Sequence, residues 1–322
     1  MRLLRLILVA VALTPLVGCE SMKKALGIGA YNTGNNTGKD KGNNGALPPV
    51  TADQLVGYLN AQAARLQTLH YDEASVSARE GDRLLSYPSL SGKLTASQPR
   101  NFRMVVKGTL AGKVDFGSNP EQFWVYFEVP TVQPTYVFAS HADFEAGKAK
   151  LPGNIPFESD WVMQALGMTT FPPNPQYTAR NDDRERTFVL SWPAVAPNGM
   201  KIRKEVVFAA DDADASRNQP QVKKHLIRDA NGKLIASAEV KSAKTLPVGG
   251  IDPESKRPNV IQYPTEVFLR YEEQKFEMTL RLDRAKVNQP MTDDIRALFK
   301  MPTVGNTPPQ NLANARFDTP GK

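Results

Sequence analysis

Two short stretches of the chain carry residue types that act in enzymes and metal sites. The order S-H-A-D at 140–143 contains the residue types of a catalytic triad. Neighbours in an extended strand point to opposite faces, and triads are normally assembled from distant segments, so this order does not predict a hydrolase. The order D-D-A-D at 211–214 lacks the glycine and distal glutamate of an EF-hand loop. We interpret it as a solvated hairpin tip.

The remaining composition excludes further classes of site. The sequence has no G-x-G-x-x-G, P-loop, H-E-x-x-H or G-x-S-x-G motif. Its one cysteine and three histidines exclude an intramolecular disulfide and a cysteine-rich zinc site. With 41% hydrophobic and 23% charged residues, the 322-residue chain is not disordered over its length. The sequence therefore predicts a non-enzymatic protein without catalytic residues, metal site or cofactor.

The single cysteine has a position that explains it. Arg2 and Arg5 precede an apolar run at 6–13, and L-V-G-C closes the segment at 16–19. A basic start, a short apolar stretch and small residues form the layout of a secretory signal, and the run is too short to span a bilayer. We predict a signal peptide over 1–18. The alternative is an ordinary or uncleaved signal followed by a chance cysteine.

The L-V-G-C order resembles the lipobox of bacterial lipoproteins. That resemblance implies lipidation of Cys19, with acyl groups such as palmitate, after cleavage before this residue. Glu20 in place of aspartate favours the outer membrane, facing the periplasm, in a sorting pattern that this chain resembles. The implied partner is the membrane, through the acyl anchor. The net charge of +7 includes two arginines of the signal peptide, and it does not favour nucleic acid as a partner of a secreted chain.

The chain divides into four parts by composition. After 1–18, residues 19–49 carry Cys19 and a glycine- and asparagine-rich stretch that behaves as a flexible tether. The folded domain is predicted over 50–302. The polar, proline-containing stretch 303–322 is predicted to be a disordered tail.

Periodicity in the folded domain changes from helical to alternating. An amphipathic pattern capped by Thr51 predicts an N-terminal helix, and short alternating segments separated by turns predict antiparallel strands. A further helix is predicted at 158–168 inside proline-rich loops, and a last one begins at Thr292. The predicted fold class is α+β: a strongly curved antiparallel sheet, an incomplete β-barrel of roughly eleven to twelve strands, with an N-terminal helix and a central covering helix.

Several motifs in order resemble a known family. These are S-G-K-L at 91–94, P-R-N-F-R at 99–103, D-F-G-S-N leading to F-W-V-Y over 115–126, G-K-L-I-A at 232–236 and F-K-M-P at 299–302. They are similar to the LolA/LolB-type outer-membrane lipoprotein-sorting proteins and to planctomycete-like lipoproteins. The resemblance implies a half-barrel closed by helices, with an apolar cavity for the acyl chains of lipids or lipoproteins and a role in their trafficking.

The aromatic strand 123–127 is apolar on both faces, so both faces are predicted to be covered. Inward faces of such strands and the central helix would build an apolar groove. The candidate lipid-cavity residues are Phe102, Met104, Val106, Trp124, Tyr126, Trp161, Val162, Leu166, Phe268, Met278 and Leu280. Two alternatives stay open: these residues only fill a core under a helix that never moves, or the chain is a scaffold lipoprotein that binds protein or peptidoglycan.

Overall fold

The structure is a computed structural model that describes residues 46–80, 85–108, 112–129, 132–149, 163–210, 221–251 and 258–314. The predicted signal peptide, Cys19, most of the tether, the stretch 211–214 and the end of the tail lie outside the described residues. The described helices are α1 (Ala52–Arg65), α2 (His141–Glu145) and α3 (Asp293–Leu298). A helical turn also covers 163–165.

The described strands, in chain order, are β1 (Thr68–Glu80), β2 (Leu85–Ser97), β3 (Asn101–Gly108), β4 (Gly112–Ser118), β5 (Gln122–Val129), β6 (Val132–Ser140), β7 (Thr178–Asp182), β8 (Thr187–Val195), β9 (Lys201–Ala209), β10 (Val222–Asp229), β11 (Leu234–Ile251), β12 (Pro258–Tyr271), β13 (Phe276–Val287) and β14 (Gln310–Asn311).

Within the described ranges these strands form one sheet built from two meanders. Its order is β14-β6-β5-β4-β3-β2-β1-β13-β12-β11-β10-β9-β8-β7. The meander β1–β6 joins the meander β7–β13 through an antiparallel ladder between the first and last long strands, with Val76 opposite Leu280. The sheet is curved and does not close, because β14 and β7 are its two edges. The predicted α+β fold with an incomplete barrel is confirmed.

The described part of the sheet has fourteen strands rather than eleven or twelve. Pro88 and Ser89 have the residue types of a turn, but they lie within β2, where the pairing with β1 shifts register between Val76 and Ala78. A bulge accommodates a proline because the missing N–H falls outside the regular ladder. The strands β6, β7 and β14 carry too little alternation to be predicted.

Helix α1 forms as the sequence predicts. Thr51 and Gln54 make a capping box, in which the Thr51 hydroxyl accepts from the Gln54 backbone N–H and the Gln54 side chain accepts from that of Thr51. The helix packs against β7 and β8. Helix α3 is also confirmed: Thr292 caps it through a bond from the Ile295 backbone N–H. In the described part of the chain, no helix has the length and apolar character needed to span a membrane.

Helix α2 differs from the expectation. The S-H-A-D order was expected to be extended, but Ser140 ends β6 and caps α2 by accepting from the Asp143 backbone N–H at 3.0 Å. The reason is local: a serine three residues before an aspartate favours an N-cap over a continued ladder. The His141 ring Nε2 lies 2.8 Å from the carbonyl oxygen of Asn119.

Buried apolar side chains form two clusters on one face of the sheet, which we call the inner face. The main cluster is centred on a row that crosses six neighbouring strands, made of Tyr71, Leu94, Met104, Phe116, Val125 and Val137. The second cluster lies between α1 and strands β8–β11 and contains Leu47, Leu55, Tyr58, Leu59, Phe171, Phe188, Leu190, Val206, Phe208, Val222, Val240 and Ala243.

The C-terminal segment covers part of the opposite, outer face. Trp124, Tyr126 and Tyr136 form an outer cluster there, against Met301 and Val304. Beyond it, β14 pairs in parallel with β6 and Leu312 is buried at 3%. Residues of the predicted tail over 303–314 therefore pack against the outer aromatic side chains and cover the β6 edge.

Candidate functional site

The inner face of the sheet is the candidate site, and six of the predicted cavity residues lie on it or pack against it. They share burial at or below 1% and membership of the main cluster: Phe102, Met104, Val106, Leu166, Met278 and Leu280. Strand alternation places the first three on one face of β3 and the last two on one face of β13. Trp161 and Val162 lie outside the described residues.

Three other predicted residues lie on the outer face. Trp124 and Tyr126 belong to the outer cluster, so both faces of the strand 123–127 are covered, as predicted, but its two sides belong to different clusters. Phe268 is half-buried, and the Lys241 ammonium lies 5.6 Å from its ring centroid. Its neighbours Val267 and Leu269 hold the inward positions instead. One residue of register therefore decides which side chains face the site.

A covering segment closes the inner face. We call residues 163–171 the cover; it turns once as a helix and buries Met163, Leu166 and Met168 in the main cluster. Its end is held by α1, because the Asn60 side-chain amide donates to the Phe171 carbonyl at 2.9 Å and accepts from the Phe171 N–H at 2.7 Å. The predicted central helix at 158–168 is thus observed only over its described end, as a helical turn that covers the sheet.

The cover spans the boundary between the two inner clusters. Met168 belongs to the main cluster, whereas Phe171 belongs to the second one. The Phe171 ring packs edge-on against Trp192 of β8, with centroids 5.7 Å apart. The cover therefore contacts both apolar regions of the inner face, and its displacement would expose both.

Buried polar groups lie at this same boundary. Within the described residues, the amide of Gln62, the hydroxyl of Thr169 and Nε2 of His225 are buried without a hydrogen-bond partner. Lys204 is also on the inner face, 7% exposed, and is engaged in an interaction. Burial lowers the pKa of His225 to about 3, so its ring is neutral near pH 7. Leaving polar groups unpaired in an apolar interior is costly.

Sequence reasoning missed this polar group. The available signal was His225, which alternates with Ile227 along β10 and therefore occupies an inward position. A single histidine on an otherwise apolar strand face is a weak signal, and the residues that accompany it come from a helix, the cover and another strand. Their proximity depends on tertiary packing and not on spacing along the chain.

A polar groove lies on the outer face of β7–β11. Its volume is about 550 Å³, and its lining includes Arg180, Arg186, Lys224 and Glu239. At its base Glu205 is 4% exposed and accepts from Nε of Arg203 at 2.9 Å and from Nε of Arg228 at 3.0 Å. The charges of both signs are mostly paired, so the groove suits a polar surface or polymer and not an acyl chain.

No arrangement with enzymatic geometry arises among the described residues that were candidates for chemistry. The Ser140 hydroxyl donates to Asp143 at 2.9 Å, while His141 faces Asn119 and Ser118. Within the described ranges, no group of three or more histidine, cysteine or acidic side chains is placed to hold a metal ion.

The sequence matches no protein-family model and no curated protein. Among solved structures, it is similar to a DUF1329 family protein from Desulfovibrio piger, at 11% identity and a TM-score of 0.45, over 77% of this chain and 95% of that one. It is similar to a putative outer membrane lipoprotein-sorting protein domain from Vibrio parahaemolyticus, at 9% identity and a TM-score of 0.45, over 77% of this chain and 100% of that one.

A LolA superfamily protein from Nitrosomonas europaea is also similar, at 10% identity and a TM-score of 0.40, over 77% of this chain and 97% of that one. The second and third of these structures bear the names of the family that the sequence motifs resemble.

Proposed function

We propose that this chain is a non-enzymatic envelope lipoprotein that binds the acyl chains of lipids or lipoproteins on the inner face of its half-barrel. The observation that carries the proposal is the apolar cover: Met163, Leu166 and Met168 lie on a sheet face that is itself apolar across many strands. Apolar burial gains about 25 cal/mol per Å², so an acyl chain that takes the place of the cover side chains recovers the free energy lost when the cover lifts.

Methionine makes such an exchange easier. Met104 and Met278 lie in the same cluster as Met163 and Met168 of the cover. Unbranched, flexible thioether side chains fill irregular space and repack around different apolar partners at low cost. A methionine-containing contact between cover and sheet is therefore suited to alternate between a closed, filled interior and an open one that holds lipid.

The anchor belongs to the same proposal. Lipidation at Cys19 would hold the chain on the envelope membrane, on the periplasmic face of the outer membrane. Two or three acyl chains hold a protein stably, whereas one holds it marginally. A Cys19→Ser variant should lose incorporation of labelled palmitate, and persistence of the label would refute the lipobox prediction.

A second function is favoured by a different observation. The interior of the closed form is filled, with many side chains of the main cluster at 0% or 1% exposure, and the polar groove on the outer face offers about 550 Å³. These features suit a scaffold lipoprotein that uses its outer face to bind protein or peptidoglycan. In that case the inner face would never open.

Native mass spectrometry of the Cys19→Ser full chain, purified without detergent, separates the two functions. Co-purified acyl species, or saturable uptake of a fluorescent fatty acyl lipid, is expected for the lipid binder. A bare mass with no uptake would refute lipid binding and favour the scaffold.

A separate substitution tests whether the cover controls access to the inner face. Asn60→Ala removes both hydrogen bonds to Phe171, which at about 0.5–1.5 kcal/mol each should favour opening. We expect faster lipid exchange in Asn60→Ala. The matched control is Asn181→Ala, which also removes two hydrogen bonds, to the carbonyls of Leu47 and Pro48, away from the cover. Equal exchange rates in both variants would contradict gating by the cover.

A further inference from the structure

Four polar residues of the described chain lie between the two apolar clusters: Lys204, which has an interaction partner, and Gln62, Thr169 and His225, which carry buried, unpartnered polar atoms. On β9, Lys204 stands between Ile202 of the main cluster and Val206 of the second cluster. On β10, His225 is paired with Val206 and is followed on the same face by Ile227, which belongs to the main cluster. His225 and Lys204 are thus neighbours on adjacent strands at the boundary of the clusters.

Helix α1 brings Gln62 to the same layer. The Tyr58 ring lies 6.0 Å from that of Phe208, and Gln62 lies one turn, about 6 Å, further along the helix. The helix leads toward the main cluster, to which Leu66 belongs. Two residues along a strand span about 6.6 Å, which is close to the length of one helical turn. Moving this distance from Phe208 along β9 reaches Val206, the residue opposite His225. Gln62 is 2% exposed.

The cover supplies the last member. Thr169 lies between Met168, in the main cluster, and Phe171, in the second one. Phe171 packs on Trp192, and Trp192 is the strand partner of Lys204. Thr169, whose hydroxyl is buried, therefore lies where the cover crosses from one cluster to the other. We call Gln62, Thr169, Lys204 and His225 the polar layer.

The unpartnered members of the polar layer are uncharged. The Gln62 amide offers two N–H donors and one oxygen, and the Thr169 hydroxyl offers one donor. Neutral His225 offers an N–H donor in the tautomer that carries its proton on Nε2. Lys204 already has an interaction partner. Uncharged donors in a buried site match a carbonyl oxygen better than a carboxylate, which would need an unpaired cation to be taken out of water.

The surroundings define the rest of the ligand. Apolar clusters lie on both sides of the polar layer, so a bound molecule has hydrocarbon on both sides of its polar group. Ala236 and Ala238 are the inward residues of β11 beside Ile227 and His225. Beyond them lies Tyr271, whose hydroxyl is also unpartnered within the described part of the chain. A second acceptor on the ligand would find its donor there.

We infer that the polar layer is a binding site for the carbonyl groups of ester- or amide-linked acyl chains, placed at the junction from which the chains run into the main and second clusters. The inference rests on the proposed lipid binding and adds a selectivity to it. Acylated lipids are preferred over lipids with the same chains joined through ethers, which lack the carbonyl oxygens. They are also preferred over free fatty acids, whose polar group is terminal and charged.

The test compares probes that differ in this chemistry alone. The Cys19→Ser full chain is titrated with a diacyl phosphatidylglycerol, with its dialkyl ether analogue of equal chain length, and with the free fatty acid. Because each hydrogen bond contributes roughly 3- to 10-fold in affinity, we expect the ester to bind about 10-fold more tightly than the ether. Gln62→Leu and His225→Leu should reduce that ratio towards one.

The controls keep this test separate from that of lipid binding itself. Gln176→Leu makes the same chemical change at an exposed position and should leave the ester-to-ether ratio unchanged. Equal affinity for ester and ether in the parent chain, or a preference for the free fatty acid, overturns the polar-layer site while lipid binding stands. Binding of none of the three probes overturns the proposed function instead.

A second binding experiment distinguishes membrane lipid from lipoprotein as the source of the acyl chains. A synthetic lipopeptide with a diacylglyceryl cysteine carries the same ester linkages as the phospholipid. A preference for either compound supports the site and identifies whether membrane lipid or lipoprotein is bound. If Gln62→Leu weakens neither compound relative to the parent chain, the carbonyl contacts are refuted.

Discussion

His225 makes the folded state sensitive to acid in a window that its burial defines. Its ring is 3% exposed, and burial lowers its pKa to about 3 from a usual value of 6.5. The unfolded chain therefore binds this proton at a higher pH than the folded chain does. Above pH 6.5 the ring is neutral in both states and its titration does not change the free energy of unfolding. As the pH falls from 6.5 towards 3, the free energy of unfolding decreases by about 1.4 kcal/mol per pH unit. At pH 5 the loss is about 2 kcal/mol.

The measurement is urea unfolding at pH 7.5, 6.5, 5.5 and 4.5, for the parent chain and for His225→Leu. The variant should keep its stability at pH 7.5 or gain about 1 kcal/mol, because it removes an unpartnered buried nitrogen. Its free energy of unfolding should then fall less steeply below pH 6.5 than that of the parent. Parallel pH profiles for the two proteins would refute the buried neutral histidine, and with it the placement of β10 in the interior.

Two further predictions concern the other half of the sheet. A Cβ at Gly117 would lie 2.1 Å from Cζ2 of Trp124, so Gly117→Ala should lower the free energy of unfolding by about 1–3 kcal/mol. A Cβ at Gly57, on the exposed side of α1, would meet nothing within 4 Å, so Gly57→Ala should raise the free energy of unfolding by about 0.5–1 kcal/mol. Equal effects of the two substitutions in chemical denaturation would contradict the packing of Trp124 on Gly117. Arg103→Leu leaves Asp115, 1% exposed, without its bidentate partner at 2.7 and 3.1 Å, and should cost about 3 kcal/mol. The double variant with Asp115→Leu should recover part of that loss, and a larger loss in the double variant would disprove the pair.

The sequence carries the class of fold and the main elements of the sheet. Alternation along β3 and β13 is strong enough to identify their inward residues, because these strands have one apolar and one polar face. The cap at Thr51 and the amphipathic pattern after it locate α1 within a few residues. Strand alternation and helix capping depend on residues close together in the chain, so the sequence alone predicts them.

Other parts of the site depend on which faces meet. The strand 123–127 is apolar on both sides, and nothing local says that Trp124 faces the C-terminal segment while Val125 faces the main cluster. Residues 301–304 pack on the outer aromatic side chains, and no local pattern in the sequence predicts this contact. The polar layer is harder still, since its members come from four separate elements.

The polar layer lies under the segment that would have to move for the inner face to open. Strands β9–β11 contribute side chains to both apolar clusters, and α1 covers the second cluster. The cover crosses from one to the other, and Thr169 lies at the crossing. A ligand carbonyl that satisfies Gln62 and His225 would therefore bind where the cover must lift first. The ligand carbonyl is then recognised at the place where the cover lifts, and burial of the acyl chains in the two apolar clusters supplies the affinity.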